Sequence, residues 1–224
     1  MTIILTMLLI LTFSHDILAG DFATATGCEI VIDDFAEGIG SGWKAESFKG
    51  ITQYTWTKEG DKTFVRAISN GTASNLYYKI RYNPRQYPYI TWQWQVDKIV
   101  ASGDATRKST DDYGARIYVV FPSFGFLNTR AINYIWANRL PKNRMIVSPY
   151  AANSIMISIE SGTSETGKWL TETRNVYEDY KRAFGEEPPE VGGLAIMTDS
   201  DDTGESAAAA YGPIAVCSQN PGNH

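Results

Sequence analysis

Hydrophobic and polar residues alternate along much of the chain, which is the pattern of strands that bury one face of a sheet. The clearest example runs from Tyr89 to Asp97, where Ile90, Trp92, Trp94 and Val96 fall on one face. A threonine and two glutamines occupy the positions between them and fall on the other face. The pattern predicts a half-buried strand with an aromatic core face.

Similar short segments recur along the chain, separated by turn-forming residues such as Ser69-Asn70-Gly71 and Asn83-Pro84. They do not alternate with helices in the way that builds parallel sheets. The sequence therefore predicts an all-β fold, a two-sheet antiparallel β-sandwich of the jelly-roll type. Besides the segment at 89–97, the predicted strands cover residues 29–35, 52–57, 63–68, 76–81, 115–121, 131–137, 154–160, 169–174, 191–198 and 209–217.

One segment follows a helical period instead. Val176, Tyr177, Tyr180 and Phe184 recur at helical spacing, and Asn175 stands where a side chain caps the first turn. Glycine and proline follow at residues 185, 188 and 189 and stop a helix. The pattern predicts one short amphipathic helix packed on the sandwich.

Length and charge narrow the class of protein. A chain of 224 residues with 43% hydrophobic residues can bury a large core, and we predict a single sandwich domain over residues 21–224. The 25 acidic residues outnumber the 20 basic ones, for a formal net charge of -5. No basic stripe is present, so we predict that the protein does not bind nucleic acid.

The chain begins with an apolar run from Met1 to Phe13, followed by small residues at Ala19 and Gly20. This run is shorter than the roughly 20 residues of a membrane-spanning helix and suits a signal peptide, although no Lys or Arg precedes it. We predict a signal peptide over residues 1–20, no transmembrane helix in the mature chain, and a periplasmic or secreted location. A misassigned start codon or a short anchor is the alternative.

Two cysteines are present, Cys28 near the start of the mature chain and Cys217 near its end. In an exported protein an even number of cysteines favours a disulfide. If the first and last strands pair antiparallel, the two side chains lie close enough to form it. Two separate buried thiols, or a lipid attached to Cys28, are the alternatives.

Aromatic and acidic motifs recur over most of the mature chain. They are Asp33-Asp34-Phe35 with Gly42-Trp43, Thr91-Trp92-Gln93-Trp94, Asp111-Asp112-Tyr113 with the strand 115–121, the segment 133–139, the segment 174–180, and the segment 196–199 with 203–206.

As a set these motifs resemble a bacterial domain-of-unknown-function family, number 3047. The resemblance implies an exported bacterial β-sandwich. Pro213 stands after Tyr211-Gly212, where this family leads us to expect an acidic residue, which argues against a metal ligand at that position. The fold also looks like that of carbohydrate-binding modules and of laminarinase-like or lyase-like sandwiches, a likeness that does not fix function.

Side chains of the kinds that bind sugars concentrate on three predicted strands. Aromatic rings pack on the C–H face of a pyranose, and Arg, Asn, Asp and Glu bind neighbouring hydroxyls or a uronate carboxylate. By alternation Arg116 and Tyr118 point away from the core side of their strand. The predicted ligand-binding residues are Asp111, Asp112, Tyr113, Arg116, Tyr118, Asn133, Trp136, Asn138, Glu160 and Arg174.

Three tryptophans and two arginines in these motifs also have a structural alternative. For Trp92, Trp94 and Trp136 it is core packing. For the two arginines it is an ion pair with a nearby carboxylate. The candidate partners of Arg116 and Arg174 are Asp112, Glu160 and Glu172.

Acidic residues crowd into the loop at 198–206, around Gly204. Carboxylate oxygens are calcium ligands, so we predict a possible calcium site at Asp199, Asp201 and Asp202, with Glu205 nearby. Asp33 or Asp34 would complete it if the first and last strands are neighbours. The loop lacks the EF-hand spacing, and a solvated acidic turn is the alternative.

The two histidines, His15 and His224, lie in the predicted signal peptide and at the last position, which argues against histidine-based catalysis. Paired carboxylates, such as Glu160 with Asp112 or Asp179, or a tyrosine base beside Arg and Asn, leave a glycoside hydrolase or polysaccharide lyase as an alternative. We expect instead a protein that binds a carbohydrate or cell-envelope polymer. A structural or protein-partner role in the envelope is the third hypothesis.

Overall fold

Thirteen strands and one α-helix form in the parts of the chain that the computed structural model describes, residues 27–123 and 129–222. The predicted signal peptide lies outside these residues. The helix α1 covers Val176–Phe184, and Lys108–Thr110 form a single 3-10 turn. The strands are β1 Ile30–Asp33, β2 Trp43–Lys49, β3 Gln53–Glu59, β4 Lys62–Asn70, β5 Ala73–Tyr82, β6 Tyr89–Lys98, β7 Tyr113–Phe121, β8 Arg130–Ala137, β9 Met145–Val147, β10 Ser154–Ser161, β11 Leu170–Asn175, β12 Val191–Asp199 and β13 Ser206–Cys217.

The strands form two sheets that pack face to face. Sheet 1 has the order β11-β6-β13-β4-β3, and β1 also pairs with β13. Sheet 2 has the order β2-β5-β12-β7-β8-β10-β9. The predicted β-sandwich is thereby confirmed. One pair in the described residues, β8 with β10, runs parallel, so sheet 2 is mixed rather than wholly antiparallel.

Alternation along the strands determines which face enters the core. Ile90, Trp92, Trp94 and Val96 of β6 are all fully buried, as the sequence predicted. The core is strongly aromatic. For example, Trp92 stacks on Tyr134 of the opposite sheet with ring centroids 5.4 Å apart. Aromatic pairs of this kind add to the stability that area burial supplies.

The helix forms where its caps predicted it. The Asn175 side chain accepts a hydrogen bond from the backbone N–H of Glu178 at 3.0 Å. Gly185 has φ 72° and ends the helix, and its N–H donates to the Lys181 carbonyl. Tyr180 is buried against Phe121 of sheet 2 with ring centroids 4.5 Å apart, so the helix covers one end of the sandwich.

A disulfide joins Cys28 to Cys217, with a Cα–Cα distance of 4.3 Å. Ile30 of β1 pairs with Val216 of β13, so the first and last strands are antiparallel neighbours and bring the two sulfurs together. The predicted disulfide is confirmed. A lipid on Cys28 is inconsistent with this bond, because the sulfur is already bonded.

Within the described residues, no helix has the length and hydrophobicity that crossing a bilayer requires.

Candidate functional site

The outer face of sheet 2, which points away from the core, is polar in its centre. Tyr77, Ala195, Tyr118 and Asn133 are successive cross-strand partners on β5, β12, β7 and β8. The neighbouring positions on the same strands carry core residues, so alternation alone directs these four side chains outward. Two of them, Tyr118 and Asn133, belong to the predicted ligand-binding set.

A pocket of about 370 Å³ opens on this face, which we call the outer-face pocket. Its size lies at the lower end of the range that is typical of small-molecule sites. It brings together the predicted ligand-binding residues Asp111, Arg116, Tyr118 and Asn133 with all three predicted metal ligands. Charged, polar and aromatic side chains line the pocket. They include Phe48, Asp111, Arg116, Tyr118, Asn133, Tyr150, Asp199, Asp201 and Asp202.

Arg116 is buried in the wall of the pocket, and the protein itself satisfies its guanidinium. Its Nε donates to Asp199 Oδ1 at 2.8 Å, and Nη2 forms an ion pair with the same carboxylate. Nη2 also donates to the Asp111 carbonyl at 2.7 Å, and Nη1 donates to Tyr118 Oη at 3.1 Å. The guanidinium lies 4.2 Å from the centre of the Tyr113 ring.

This network fixes the protonation state of its members. Burial opposes the charge on Arg116, but the neighbouring Tyr118 and Asp111 raise its pKa above the usual value, so the guanidinium stays charged. Burial raises the pKa of Asp111, and the attraction of Arg116 opposes that shift. The structural alternative for Arg116 thus holds, with Asp199 and Asp111 as its partners. The predicted partners, Asp112, Glu160 and Glu172, were wrong for this arginine.

Asn133 differs from Arg116 because part of its amide has no partner. Its side chain is 2% exposed and lines the pocket, and among the described residues Oδ1 accepts no hydrogen bond. A buried carbonyl oxygen without a donor costs about 1–3 kcal/mol. A ligand hydroxyl or N–H in the pocket would supply the missing donor.

Two exposed aromatic rings stand at the rim of the pocket. Phe48 on β2 is 65% exposed, and Tyr150 in the connection from β9 to β10 is 50% exposed. Tyr150 Oη donates to the Asp202 carboxylate at 2.6 Å, which holds the ring beside the pocket. Neither ring was among the ligand-binding residues predicted from the sequence. The available signal was a single aromatic among polar neighbours, as in Glu46-Ser47-Phe48-Lys49.

The acidic loop folds differently from the predicted metal site. Asp112, Asp201 and Asp202 place carboxylate oxygens within 4.8 Å of one another. Asp199 does not belong to this group, because it pairs with Arg116. Glu205 is also directed elsewhere and accepts hydrogen bonds from the backbone N–H groups of residues 101 and 102.

Asp33 and Asp34 lie at the other end of the sandwich from this loop. Asp33 faces Ile214 of β13, whereas the acidic loop precedes Ser206 at the start of that strand. Eight residues of strand span roughly 26 Å. The Asp33 carboxylate instead accepts hydrogen bonds from Gly40 N and Trp43 Nε1. The expectation that these aspartates complete a metal site was therefore wrong.

The acidic group fits calcium only in part. Calcium takes six to eight oxygen ligands. The two carboxylate oxygens of Asp112 already accept hydrogen bonds from the backbone N–H groups of Asp202 and Thr203, at 3.2 and 2.7 Å. Calcium binding stays a prediction.

The remaining predicted ligand-binding residues have structural contacts away from the lining of the pocket. Tyr113 and Trp136 are fully buried, and Trp136 Nε1 donates to the Gly162 carbonyl. Asn138 bridges the Val100 N–H and the Asp112 carbonyl. Arg174 binds Asp179 through Nε at 2.9 Å and Nη2 at 2.7 Å, so Asp112, Glu160 and Glu172 were wrong as its candidate partners too.

Glu160 forms an ion pair with Lys142 at 2.5 Å and lies near Glu172 of β11. Burial, and then the neighbouring Glu160 carboxylate, raise the pKa of Glu172 to about 7. The carboxylate that Glu160 influences is therefore Glu172, whereas the hydrolase hypothesis predicted a pair with Asp112 or Asp179. Asp112 binds the acidic loop, and Asp179 binds Arg174.

The lyase alternative required a Tyr, an Arg and an Asn at one point, and the pocket does bring Tyr118, Arg116 and Asn133 together. Burial raises the pKa of Tyr118, with Arg116 opposing the shift, so the phenol is protonated at neutral pH. The Arg116 donors are occupied by Asp199, Asp111 and Tyr118. This chemistry favours binding over proton abstraction.

The fold and this pocket define a β-sandwich protein with a ligand-sized site on one sheet face, walled by buried polar groups and exposed aromatic rings. The chain belongs to the family described as "Protein of unknown function (DUF3047)", which matches residues 41–215. This match confirms the family predicted from the sequence motifs. No curated protein matches the chain.

Solved structures with a similar arrangement include two carbohydrate-binding modules. The family 11 module from Clostridium thermocellum, in complex with a β-1,3-1,4-mixed-linked tetrasaccharide, aligns with a TM-score of 0.45 and 11% identity over 84% of this chain and 94% of that chain. A family 29 module aligns with a TM-score of 0.42 and 10% identity over 87% of this chain and 94% of that chain.

A third similar structure is the glycoside hydrolase domain of Endo-D from Streptococcus pneumoniae. It aligns with a TM-score of 0.39 and 8% identity over 79% of this chain and 22% of that chain. Similarities of this degree do not extend to ligands or to individual residues.

Proposed function

We propose that the protein binds a glycan or cell-envelope polymer in the outer-face pocket, in the periplasm or outside the cell. The observation that carries this proposal is Asn133, which lines the pocket and whose buried Oδ1 has no donor among the described residues. A protein that only needed a stable sheet would gain from an apolar residue at this position.

The chemistry around Asn133 is complementary to a sugar. Hydroxyls can donate to Asn133 Oδ1 and to the carboxylates of Asp201 and Asp202, which line the same pocket. The exposed rings of Phe48 and Tyr150 offer apolar faces of the kind on which pyranose C–H groups pack.

Export is supported by the disulfide. A Cys28–Cys217 bond persists in an oxidising compartment and is rare in the reducing cytosol. The apolar run at the N-terminus is consistent with the same location.

The first test is a glycan and polysaccharide array with the wild-type protein and Asn133→Leu, in the presence and absence of calcium. We expect one class of glycan to bind the wild-type protein, and the variant to lose about tenfold or more in affinity. Because an unpartnered buried oxygen costs the folded state about 1–3 kcal/mol, we expect the thermal midpoint of Asn133→Leu to be at or above the wild-type value.

Asn75→Leu is the matched control. Asn75 is also buried on sheet 2 with an unpartnered Oδ1, but it does not line the pocket. Equal loss of binding in both variants, or no binding by the wild-type protein, would contradict the proposal. Turnover of a bound glycan would change the assignment to a carbohydrate-active enzyme.

A second test removes the rings at the rim. We expect Phe48→Ala and Tyr150→Ala each to weaken binding of the same glycan, because a stacked ring contributes roughly 1 kcal/mol or more. Ile51→Ala is the control, since Ile51 is 76% exposed near Phe48 in sequence but does not line the pocket. Isothermal titration calorimetry measures each affinity, and unchanged binding in both ring variants would count against a site on this face.

A further inference from the structure

We propose that the ligand of the outer-face pocket carries a protonated amine, as a 2-amino sugar does, and that uronates and other anionic polymers are rejected. This inference rests on the proposed function and specifies its ligand. It follows from the charge of the pocket and from the acceptors that remain free in it.

The charges that line the pocket are unbalanced. Four carboxylates, those of Asp111, Asp199, Asp201 and Asp202, line it in the described residues, together with one guanidinium. That guanidinium, Arg116, is bound to Asp199 and Asp111 and offers no free face to an anion. A uronate in this pocket would meet carboxylates without a cation to bind it.

The excess negative charge is concentrated at one end. Asp201, Asp202 and the adjacent Asp112 lie within 4.8 Å of one another. Lys49 Nζ reaches Asp201 at 3.7 Å from an exposed position, which makes this a weak ion pair. In the parts of the chain that the structure describes, Asp202 and Asp112 have no ion pair. An additional cation at this end would therefore be stabilised.

Asn133 is an independent indication that a donor-rich group enters the pocket. Its unpartnered Oδ1 is almost fully buried, so a ligand satisfies it better than bulk water does. An ammonium group presents three donors and no acceptor, and the neighbouring hydroxyls of an amino sugar present more. Asp201, Asp202 and Asn133 offer acceptor oxygens on the lining, beside the hydroxyls of Ser148 and Ser154, which can donate or accept.

The rim also accommodates a cation. Lys108 Nζ lies 4.6 Å from the centre of the Tyr150 ring, in a cation–π contact next to Asp202. A ligand amine that takes this position displaces the exposed Lys108 side chain from the ring face. The described pocket is lined by acceptor oxygens and aromatic faces, and no free cationic side chain lines it. A site that binds acidic sugars would need such a cation.

The test compares glucosamine oligomers with N-acetylglucosamine oligomers of the same length, and includes cello-oligosaccharides and oligogalacturonates. Affinities are measured by isothermal titration calorimetry with the purified protein in EDTA, at low and high salt. We expect the free amine to bind about tenfold more tightly than its acetylated counterpart at low salt, because hydrogen bonds to charged groups are the stronger ones. Salt should reduce this ratio.

Asp202→Asn should remove the amine preference. Glu59→Gln is the matched control, because it removes one negative charge at an exposed site on β3. We expect this variant to keep the amine preference. A loss here would mean that the oligomer responds only to the overall charge of the protein. Equal loss in the two variants would overturn the assignment of the amine to this pocket.

The remaining outcomes separate this inference from the proposed function. If acetylated or neutral oligomers bind as tightly as amines, and Asn133→Leu weakens them, the amine is wrong and glycan binding stands. Tighter binding of oligogalacturonates than of glucosamine oligomers would also overturn the amine inference. If none of these oligomers binds, the amine inference fails, and the result of the glycan and polysaccharide array decides the proposed function.

Discussion

Asn133 differs from the other residues with an unpartnered buried polar atom in where that atom's side chain lies. Four buried side-chain atoms in the described residues lack a partner, and those of Tyr82 and Trp92 lie in the hydrophobic core. Only Asn133 among these four residues lines the outer-face pocket. Under the proposed function, a ligand that donates to this oxygen would offset its cost to the folded state, and the amide would select the ligand.

Glu172 gives a prediction about pH. Its pKa is about 7 in the folded protein and near 4.5 in the unfolded chain, so between these values the folded state binds more protons. Stability should therefore fall as pH rises through this range. We expect Glu172→Gln to lose this dependence and to be more stable than the wild-type protein at pH 8. Urea unfolding at pH 5 and pH 8 measures both effects.

The exposed Glu165, which pairs with Lys168, supplies the control for this prediction. Glu165→Gln should retain the wild-type dependence on pH. If Glu172→Gln also retains it, another group is responsible.

Sequence alternation predicted the direction of Arg116 but not its partners. Its place between Ala115 and Ile117 put it on the outer face, as the structure shows. Asp199, which binds it, is 83 residues away along the chain, and β7 and β12 become neighbours only through the sheet order. The rim residues Phe48 and Tyr150 were missed for a related reason, because only tertiary structure brings them to one pocket.

At the scale of elements, the N-cap of α1 gives a direct test. Asn175→Ala removes the acceptor of the Glu178 N–H and should destabilise the protein by about 1 kcal/mol. Asn175→Asp keeps an acceptor at a helix N-terminus and should be close to the wild-type protein. Urea unfolding distinguishes them, and an equal loss in both would show that the side chain acts through another contact.

Most strands were predictable because they bury one face, and the two that were missed bury little. Of the seven residues of β2, only Trp43 is buried, so no alternation marks the strand. The strand β9 has three residues, too few to show a period. The parallel pairing of β8 with β10 was also missed, since alternation records which side chains face the core and not the direction of the neighbouring strand.

At the scale of the whole molecule, the disulfide closes nearly the entire domain, with 189 residues of separation between Cys28 and Cys217. Replacing both cysteines by serine should lower the free energy of unfolding by about 2–5 kcal/mol, because the unfolded chain regains freedom. Glycan binding should persist in the folded variant, since the bond lies beside sheet 1 and the pocket on sheet 2.

Denaturant unfolding with and without a reducing agent measures this effect. The wild-type protein should lose stability on reduction, and the double variant should not respond. A response of equal size in both would show that the reducing agent acts elsewhere.

The parallel pair β8–β10 makes a long connection necessary, because two parallel neighbours cannot be joined by a tight turn. That connection contains β9 and carries Tyr150 to the rim of the pocket. The sheet topology requires this connection to be long. The residue at position 150 is half-exposed, so the packing of the core does not determine its identity. If the pocket binds a ligand as proposed, its preference could be changed at this loop with little cost to folding, which makes the loop the place to diversify in a library of binders.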